Sequence, residues 1–422
     1  MRGPRLLGFL WLLRTAGSSL KFQDGGGNKP IRSSLKRGKK SPREVLVTTS
    51  RVFTEAHGNK SDNGEDWINR LNWVNPDDIT IVNFMDSGRF SNVFEVSLIN
   101  QATQDLLQEV SDEEHINLSR YVLKVLKHTF SGKAKREIRI LELLKGARGV
   151  VRLLGVSRNT ACFPKTVSLL FEHLPNTQWM SHQHLVSSSS SIEPTPWTLE
   201  EIRIFTYKLL EALRECHSRG VMHRDIKPRN VICQRISTSS SENLVFLGNG
   251  MPNRQLHSKK TQLRLIDFGL SEIYVPRAKY NPSVASRHYK CPELLFEYCY
   301  YDYGVDIWSA GCILAGLIFK VEPFFYGADL LDQVTAVASV VGSKALLEWT
   351  EKCNLRLTAL QRKAIGNFSA VLFDRFCNDG NSHLCCHEAI DLLKGMLCVD
   401  HQLRATVDSC LAHPFFDPVR GT

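Results

Sequence analysis

The sequence predicts an α+β protein with two lobes, in which a strand-rich first part precedes a helix-rich second part. Three apolar runs with strand character stand in the first part, at Ile79–Phe84, Val93–Ile99 and Tyr121–Leu126. After Trp197 the apolar residues recur mostly at helical spacing, which indicates amphipathic helices. Strands grouped before helices, without regular alternation, are typical of the α+β class.

The remaining elements follow in order along the chain. A helix is predicted after the third strand, because Ile138, Leu141 and Leu144 fall on one helical face. Two further strands are predicted at Val150–Val156 and Val167–Phe171, before the helical part begins. Three polar segments interrupt this pattern and are interpreted as loop insertions: Gln101–Ser119, Ser187–Pro196 and Arg235–Thr261.

Domain boundaries follow from changes in composition. Residues 1–49 form a basic extension that is predicted to be disordered, and residues 50–78 form an N-terminal segment. The core spans residues 79–417 and divides into an N-lobe at 79–173 and a C-lobe at 174–417. The first residues are basic and apolar, which fits an organellar transit peptide, a short signal sequence or a disordered basic tail.

Composition limits the classes of function. The 422 residues carry a formal net charge of +10, which favours an anionic partner without choosing between nucleic acid, a membrane surface and an acidic protein. No apolar run is long enough to span a bilayer, so we expect no stable membrane association. The 12 cysteines follow no paired spacing, which indicates reduced thiols and a location in the nucleus and cytoplasm.

The most specific chemical signal is the run from His223 to Asn230, His-Arg-Asp-Ile-Lys-Pro-Arg-Asn. It matches the catalytic loop of protein kinases, H-R-D-x-x-x-x-N. In that pattern Asp225 accepts the proton of the substrate hydroxyl, Lys227 steadies the γ-phosphate and Asn230 holds a magnesium ion. Any one of these residues suits a polar loop, but the combined pattern is specific to kinases.

Three residues elsewhere extend this pattern. Asp267 begins an Asp-Phe-Gly tripeptide, whose aspartate chelates magnesium in kinases. Lys124 lies on the third strand, where kinases place the lysine that contacts the α- and β-phosphates, and Glu137 on the next helix is predicted to pair with it. Taken alone, these residues also fit an edge-strand lysine and a solvated helix face; their order along the chain favours the kinase interpretation.

Two further motifs predict scaffold contacts. Cys291-Pro292-Glu293 takes the place of the kinase A-P-E motif, and Glu293 is predicted to form a salt bridge with Arg404. Asp306 begins a kinase-like D-x-W-S-x-G helix start and is predicted to brace the backbone of the catalytic loop.

The phosphate-covering loop departs from the kinase pattern. The G-x-G-x-x-G-x-V template falls on residues 86–93, where only the middle glycine, Gly88, remains, flanked by Ser87 and ending at Val93. Asp86 replaces the first glycine and places a carboxylate near a triphosphate, which it should repel. This replacement motivates an alternative interpretation, a pseudokinase or scaffold with weakened nucleotide binding.

From about Ser50 to Phe416 the chain resembles the catalytic (alpha) subunit of casein kinase II. The resemblance is carried by motifs at the end of the activation segment, at the hinge and in the helical lobe: Val284–Arg287, Lys290–Leu295, Phe171–His173, Tyr301–Tyr303 and Glu322–Phe325. Ser50–Glu55 resembles the segment that packs on the activation loop in that family, which implies that residues 50–78 pack on the core.

The resemblance implies a constitutively active serine/threonine kinase that uses Mg²⁺ and ATP, with GTP as an alternative nucleotide. It implies purine contacts at the hinge by Glu172 and Leu174, and a narrow purine slot formed by Val93, Val122, Ile232 and Ile266. It also implies a regulatory beta subunit docked on the strand-rich lobe, in a tetramer of two alpha and two beta subunits.

Cations placed around the predicted cleft favour acidic protein substrates, because complementary charge attracts a polyanionic peptide. The candidate substrate-binding residues are Lys133, Lys135, Arg136, Arg229, Arg287 and Lys290. The family usually has tryptophan at the position of Phe268 and arginine at that of Ser283, and most of its lysine-rich cluster is missing around residues 130–132. Acid recognition is therefore expected to be weaker than in the family, or shifted.

Two further alternatives stay open at the level of sequence. A proline-directed kinase of the same broader group fits the catalytic motifs as well. The basic run at Lys36, Arg37, Lys39 and Lys40 suits a nuclear address, a solvated tail or nucleic-acid binding, although we expect no specific nucleic acid.

Overall fold

The computed structural model describes residues 68, 71–88, 90–101, 103–104, 120–127, 132–159, 166–173, 178–179, 197–235, 246–247, 251–252 and 261–420. The predictions for residues 1–49, for Ser50–Glu55 and for most of the three insertions lie outside these residues. Part of the predicted N-terminal segment is described and runs beside the fourth strand. There the Val74 amide donates to the Val156 carbonyl at 2.9 Å, and the Val156 amide donates to the Asn72 carbonyl at 2.8 Å.

Five antiparallel strands form the sheet of the N-lobe in the order β1-β2-β3-β5-β4. They are β1 (Ile79–Ser87), β2 (Ser91–Leu98), β3 (Tyr121–Leu126), β4 (Leu153–Asn159) and β5 (Thr166–Glu172). The five predicted strands are confirmed. The fourth begins at Leu153 and not at Val150, because Val150 forms an isolated bridge with Leu265 of the C-lobe.

Two hydrophobic clusters hold the N-lobe. Helix α1 (Gly132–Leu143) belongs to the main core, and its predicted face is confirmed, since Ile138 and Leu141 are buried. A smaller cluster has seven buried members: Val74, Val96, Leu98, Tyr121, Leu123, Leu154 and Leu170. Strand β1 is mostly exposed, and Ile81 and Phe84 leave 59% and 61% of their surface open to solvent.

The C-lobe is built from helices. They are α2 (Leu199–Ser218), α3 (Pro292–Leu295), α4 (Gly304–Phe319), α5 (Leu330–Val341), α6 (Ser343–Lys352), α7 (Ala359–Ile365), α8 (His387–Met396) and α9 (Val407–Leu411). Helix α2 starts with a capping box, in which Thr198 Oγ1 accepts from the Glu201 amide at 3.2 Å and Glu201 Oε2 accepts from the Thr198 amide at 2.9 Å. Helix α4 is buried along almost its whole length and forms the centre of this lobe.

The C-lobe also contains short strands, some of which position the chemical motifs. They are β6 (Gln178–Trp179), β7 (Val221–Met222), β8 (Val231–Arg235), β9 (Phe246–Leu247), β10 (Met251–Pro252), β11 (Thr261–Leu265) and β12 (Glu272–Ile273). Strand β8 pairs with β11 so that its first residue, Val231, lies opposite Leu265, the last residue of β11. The Ile266 amide then donates to the Asn230 carbonyl at 2.9 Å, which brings residues 223–230 and Asp267 to the same end of this ladder.

The predicted α+β class is confirmed, with an antiparallel sheet in one lobe and helices in the other. Within the described ranges, no single helix is both long and apolar enough to cross a membrane. One bent pair, α5 with α6, passes that test on length and composition alone.

Candidate active site

A cleft of about 320 Å³ lies between the sheet and the C-lobe. Most of the residues predicted to contact nucleotide or metal line it: Asp86, Ser87, Gly88, Val93, Val122, Lys124, Glu172, Asn230, Ile232, Ile266 and Asp267. Leu174, which was predicted at the hinge, lies outside the described residues. The fold therefore gathers residues from β1, β2, β3, β5, β8 and the catalytic loop around one space.

Lys124 is held at the back of this cleft by two carboxylates. Its Nζ donates to Glu137 Oε1 at 2.7 Å and to Asp267 Oδ1 at 2.8 Å, so the predicted pair with Glu137 is confirmed. Burial acts to lower the pKa of Lys124, but the two carboxylates outweigh it and the pKa rises, which keeps the ammonium charged. A charged lysine at this place can bind phosphate oxygens.

Asp267 is ionised for the complementary reason. Burial acts to raise the pKa of this carboxyl group, but the Lys124 charge overrides it and lowers the pKa to about 2. The residue adopts the left-handed conformation, with φ at 62°, which costs a non-glycine residue energy that its surroundings must supply. Its Oδ1 also accepts from the Gly269 amide at 3.4 Å, which helps to hold the turn.

Asp306 holds the backbone of the catalytic loop in place through hydrogen bonds, as predicted. Asp306 Oδ2 accepts from the His223 amide at 2.9 Å, and Oδ1 accepts from the Arg224 amide at 2.8 Å. Burial acts to raise the pKa of Asp306, but hydrogen bonding and charge from His217 lower it, so the carboxylate stays ionised. This buried anion fixes the backbone that carries Asp225.

Both oxygens of the Asp225 carboxylate have donors. Lys227 Nζ donates to Oδ2 at 2.7 Å, and Ser286 Oγ donates to Oδ1 at 2.9 Å. Lys227 Nζ also donates to Ser286 Oγ at 3.1 Å, which closes a triangle of three side chains. Ser286 was not predicted as a site residue, although it lies in the Val284–Arg287 motif that carries the resemblance to casein kinase II.

Asn230 and Asp267 together form a fitting set for a divalent metal ion. Asn230 Nδ2 donates to the Asp225 carbonyl at 2.8 Å and to Asp225 Oδ2 at 3.1 Å, so its amide oxygen is the atom left to bind a metal. An amide oxygen beside an ionised carboxylate is the kind of oxygen donor set that Mg²⁺ prefers.

Side-chain hydrogen bonds stabilise the phosphate-covering loop, in which two of the three kinase glycines are missing. Lys127 Nζ donates to Ser87 Oγ at 3.0 Å and to the Gly88 carbonyl at 2.7 Å. Ser87 Oγ donates in turn to Asn92 Oδ1 at 2.8 Å, across the β1–β2 turn. The sequence did not single out Lys127, because a lysine at the end of a strand carries no motif of its own.

Asp86 is not an isolated charge in this loop. Arg229 Nη2, from the catalytic loop, lies 3.4 Å from Asp86 Oδ2. The predicted repulsion between Asp86 and a triphosphate is therefore partly offset by a cation at the same place.

The six candidate substrate-binding cations separate into two groups. Lys133 is exposed, with its Nζ 5.3 Å from the centre of the Phe90 ring, and Lys135 is half-buried on α1. Arg287 Nη1 donates to the Gly327 carbonyl at 3.2 Å and to the Ala328 carbonyl. Of these cations, Lys133, Arg229 and Arg287 are exposed to solvent.

Arg136 and Lys290 each bind a group of the protein, and Lys290 is buried. Arg136 Nη1 donates to Glu272 Oε2 at 2.8 Å. Lys290 is only 9% exposed, its Nζ donates to the Val284 carbonyl, and burial lowers its pKa. Charge in the sequence showed that these residues were cations, but it did not show which way their side chains point.

Arg224 is fully enclosed by polar groups of the protein. Its Nε donates to the Leu270 carbonyl at 2.7 Å, and its Nη1 donates to the Tyr301 hydroxyl at 3.0 Å. Its Nη2 lies 3.4 Å from the Ser271 carbonyl and 3.5 Å from Glu272 Oε2. Because Glu272 also binds Arg136, one carboxylate connects helix α1 to the catalytic loop.

Two buried ion pairs frame the site. The hinge carboxylate of Glu172 accepts from Arg264 Nε and from the Arg152 amide, both at 3.1 Å. In the C-lobe, Arg404 binds Glu293 through two bonds of 2.7 and 2.8 Å, so the predicted salt bridge is confirmed.

Comparison with known families agrees with this geometry. A family model described as the protein kinase domain matches residues 87–416, which is most of the chain. A protein kinase domain implies ATP binding and the use of a divalent metal ion, and the donor sets around Lys124, Asp267 and Asn230 fit both. With a braced catalytic loop, a lysine–glutamate pair and a matching family model, this chain belongs to the protein kinase family.

Proposed function

We propose that this protein kinase transfers the γ-phosphoryl group of ATP to serine and threonine hydroxyls in acidic protein substrates, like the casein kinase II alpha subunit that its sequence resembles. The observation that carries the proposal is the Asp225 carboxylate, fixed by Lys227 at 2.7 Å and by Ser286 at 2.9 Å, beside the two candidate metal ligands. A carboxylate fixed in this way is positioned to take a proton from a hydroxyl.

In the proposed reaction the substrate oxygen forms a bond to the γ-phosphorus while the bond to the β–γ bridging oxygen breaks, and the hydroxyl proton passes to Asp225. Lys124 orients the α- and β-phosphates, and Lys227 lies beside both the base and the γ-phosphate. A magnesium ion held by Asp267 and Asn230 would neutralise negative charge on the phosphates.

We propose that the enzyme is constitutively active. The supporting observation is that Arg224 is bound by Leu270, Ser271, Tyr301 and Glu272, so its charge does not need a phosphate group on the activation segment. Treatment with a phosphatase should leave the specific activity unchanged. A large loss of activity that returns on autophosphorylation would contradict this part of the proposal.

Acidic substrate preference is supported by the cations that face solvent, chiefly Lys133 and Arg229. A peptide panel that carries aspartate, proline, alanine or arginine after the acceptor serine tests it. We expect kcat/KM to be highest for aspartate at this position, and higher again with further acids after it. A preference for proline would favour the proline-directed alternative, and equal rates on all peptides would contradict acidic preference.

We propose that GTP serves beside ATP, because Val93, Val122, Ile232 and Ile266 all line the cleft and form an apolar slot that suits any purine ring. Competition by unlabelled Mg-GTP in an ATP-dependent assay tests this. Inhibition in the range of ATP's own KM is the expected result, and no inhibition at millimolar GTP would exclude it.

A pseudokinase remains the second candidate, and the observation that favours it is Asp86 in the phosphate-covering loop. The Arg229 contact weakens that case, because it supplies a compensating positive charge. Binding of Mg-ATP measured by calorimetry separates the two functions. We expect an active kinase to bind Mg-ATP in the micromolar range, and a pseudokinase with weakened nucleotide binding to bind it far more weakly.

We propose that a regulatory beta subunit docks on the N-lobe and assembles two alpha and two beta subunits. The support is the exposed apolar side of β1, where Ile81 and Phe84 are 59% and 61% exposed. Light scattering of a mixture with a casein kinase II beta subunit should show the tetramer mass. Phe84→Glu should prevent assembly. Leu360→Glu, a change at an equally exposed apolar residue in the C-lobe, should not. Assembly by both variants would contradict this docking site.

We further propose a location in the nucleus and cytoplasm, with no stable membrane association and no specific nucleic acid as partner. A fluorescent fusion of the full chain, compared with one that lacks residues 1–49, tests the location. An organellar pattern that disappears on truncation would assign the extension to targeting instead.

A further inference from the structure

Two opposite charges face each other across the mouth of the cleft. Asp86 stands near the end of β1 in the N-lobe, and Arg229 stands in the catalytic loop of the C-lobe, 143 positions further along the chain. Arg229 Nη2 lies 3.4 Å from Asp86 Oδ2, and Asp86 Oδ1 accepts from the Ser87 amide at 2.8 Å. The pair therefore links the two lobes at the entrance to the site.

This pair lies further out than the groups expected at the reaction. The side chains of Arg229 and Asp86 are 67% and 48% exposed, whereas those of Lys124 and Lys227 are only 13% and 24% exposed. Arg229 is thus placed to meet a protein substrate that approaches from solvent, and Lys124 and Lys227 are placed to meet phosphates inside.

An exposed ion pair of this kind is readily exchanged. Exposed pairs are weak because water screens the charges and two long side chains must be held in one geometry. A carboxylate that arrives on a peptide offers Arg229 the same partner chemistry as Asp86 does. Occupation of Arg229 by one carboxylate lowers its attraction for the other.

We propose that Asp86 is a specificity-determining residue that competes, from within the protein, with substrate carboxylates for Arg229. A peptide must displace Asp86 before it gains the Arg229 contact, so an acidic residue gains less net affinity from Arg229 than it would without Asp86. This inference rests on the proposed acidic substrate class and adds a residue that sets how much negative charge a substrate needs.

The proposal predicts a coupled effect of two substitutions. Asp86→Asn should tighten binding of an acidic peptide by roughly two- to fivefold, the range that corresponds to one exposed ion pair. The same change in an Arg229→Gln background should have almost no effect on that affinity, because the contested cation is absent.

The test measures the dissociation constant of the full-length protein for a fluorescent acidic peptide that has alanine in place of the acceptor serine. The variants are Asp86→Asn, Asp86→Gly, Arg229→Gln and the double change. Asp77→Asn is the control, because it removes one exposed carboxylate of the N-terminal segment that does not line the cleft. We expect tighter binding for both Asp86 variants, no change for Asp77→Asn and non-additivity in the double variant.

Three results would overturn the inference. If Asp86→Asn tightens peptide binding equally with Arg229 present and with Arg229→Gln, Asp86 acts by general repulsion of the peptide's negative charge. The dissociation constant for Mg-ADP is measured in parallel. If Asp86→Asn tightens binding of Mg-ADP but not of the peptide, Asp86 acts on the nucleotide. An unchanged peptide affinity would mean that no competition exists. If acidic peptide binds none of the proteins, the proposed substrate class fails instead, which is a distinguishable outcome.

Discussion

At the scale of single residues, the proposed reaction depends most on the position of the Asp225 carboxylate. Asp225 is fixed by Lys227, Ser286 and Asn230, at distances of 2.7 to 3.1 Å. Hydrogen bonds to a charged group are among the more valuable ones in a protein, and each also restricts the direction in which the carboxylate points. The proposed base is therefore held in place before substrate arrives.

The serine in this arrangement gives a prediction. Ser286→Ala removes the donor to Asp225 Oδ1 and one acceptor for Lys227, so kcat should fall by roughly ten- to a hundredfold, the equivalent of one hydrogen bond to a charged group. The KM for ATP should change little. Steady-state kinetics checks this, with Ser283→Ala, an exposed serine of the same segment, as the matched control. Full activity of Ser286→Ala would mean that the base needs no such support.

At the scale of elements, close contact between two helices fixes the centre of the C-lobe. Gly311 of α4 faces the end of α8, where a Cβ atom on residue 311 would lie 2.9 Å from Met396 Cβ and 3.0 Å from Leu397 Cδ2. These distances are too short for carbon atoms, so a larger residue must push the helices apart.

This contact predicts a difference between two similar substitutions. Gly311→Ala should lower the free energy of unfolding by about 1–3 kcal/mol through overpacking. Gly395→Ala, in α8 itself, meets nothing closer than 3.4 Å, so it should be neutral or slightly stabilising because alanine favours the helix. Urea unfolding of both variants checks this, and equal stability would contradict the close packing.

The ion pair between Glu293 of α3 and Arg404 gives a second prediction at this scale. Both side chains are 0% exposed. Arg404→Leu leaves Glu293 buried without its partner, which should destabilise the protein by about 3–5 kcal/mol. Lys344→Ala removes an exposed pair with Glu348, and it should change stability by at most about 0.5 kcal/mol. Thermal and urea unfolding compare them; a similar effect for both would contradict a structural role for the buried pair.

At the scale of the whole molecule, stability should depend on pH through a buried histidine. His401 is 4% exposed, and its Nδ1 accepts from Trp349 Nε1 at 3.1 Å. Burial, with help from Arg404, lowers the pKa of His401, although Glu293, Asp302 and Asp400 oppose the change. The folded protein therefore holds this ring neutral at a pH where the unfolded chain would protonate it.

Because the unfolded state binds the proton more readily, the stability from His401 is complete above a pH of about 6.5 and is lost as the pH falls below that value. The melting temperature should therefore fall between pH 7.5 and pH 5.5, and His401→Gln should show a smaller fall. Scanning calorimetry at both pH values checks this. An equal fall in both proteins would assign the effect to other groups.

Much of the site could be predicted because its motifs are contiguous in the chain. The motif from His223 to Asn230 and the tripeptide that begins at Asp267 can be recognised from adjacent residues alone. Lys124 and Glu137 can then be recognised because they precede these motifs in the order that kinases share. The fold class followed from apolar periodicity, which local burial determines.

The rest depends on contacts between distant positions, which periodicity does not encode. Ser286 lies 61 positions from Asp225, and Arg229 lies 143 positions from Asp86. The contacts of Arg136 and Lys290 depend on Glu272 and on the Val284 carbonyl, whose places only the folded chain defines.

The central claim, that Asp225 acts as the base of an active kinase, is tested most directly by phosphate transfer from Mg-ATP to a serine peptide flanked by acids. The wild-type protein should label the peptide, and Asp225→Asn should reduce the rate by at least about a hundredfold with an unchanged melting temperature. No transfer by the wild-type protein, or equal rates for both proteins, would contradict it.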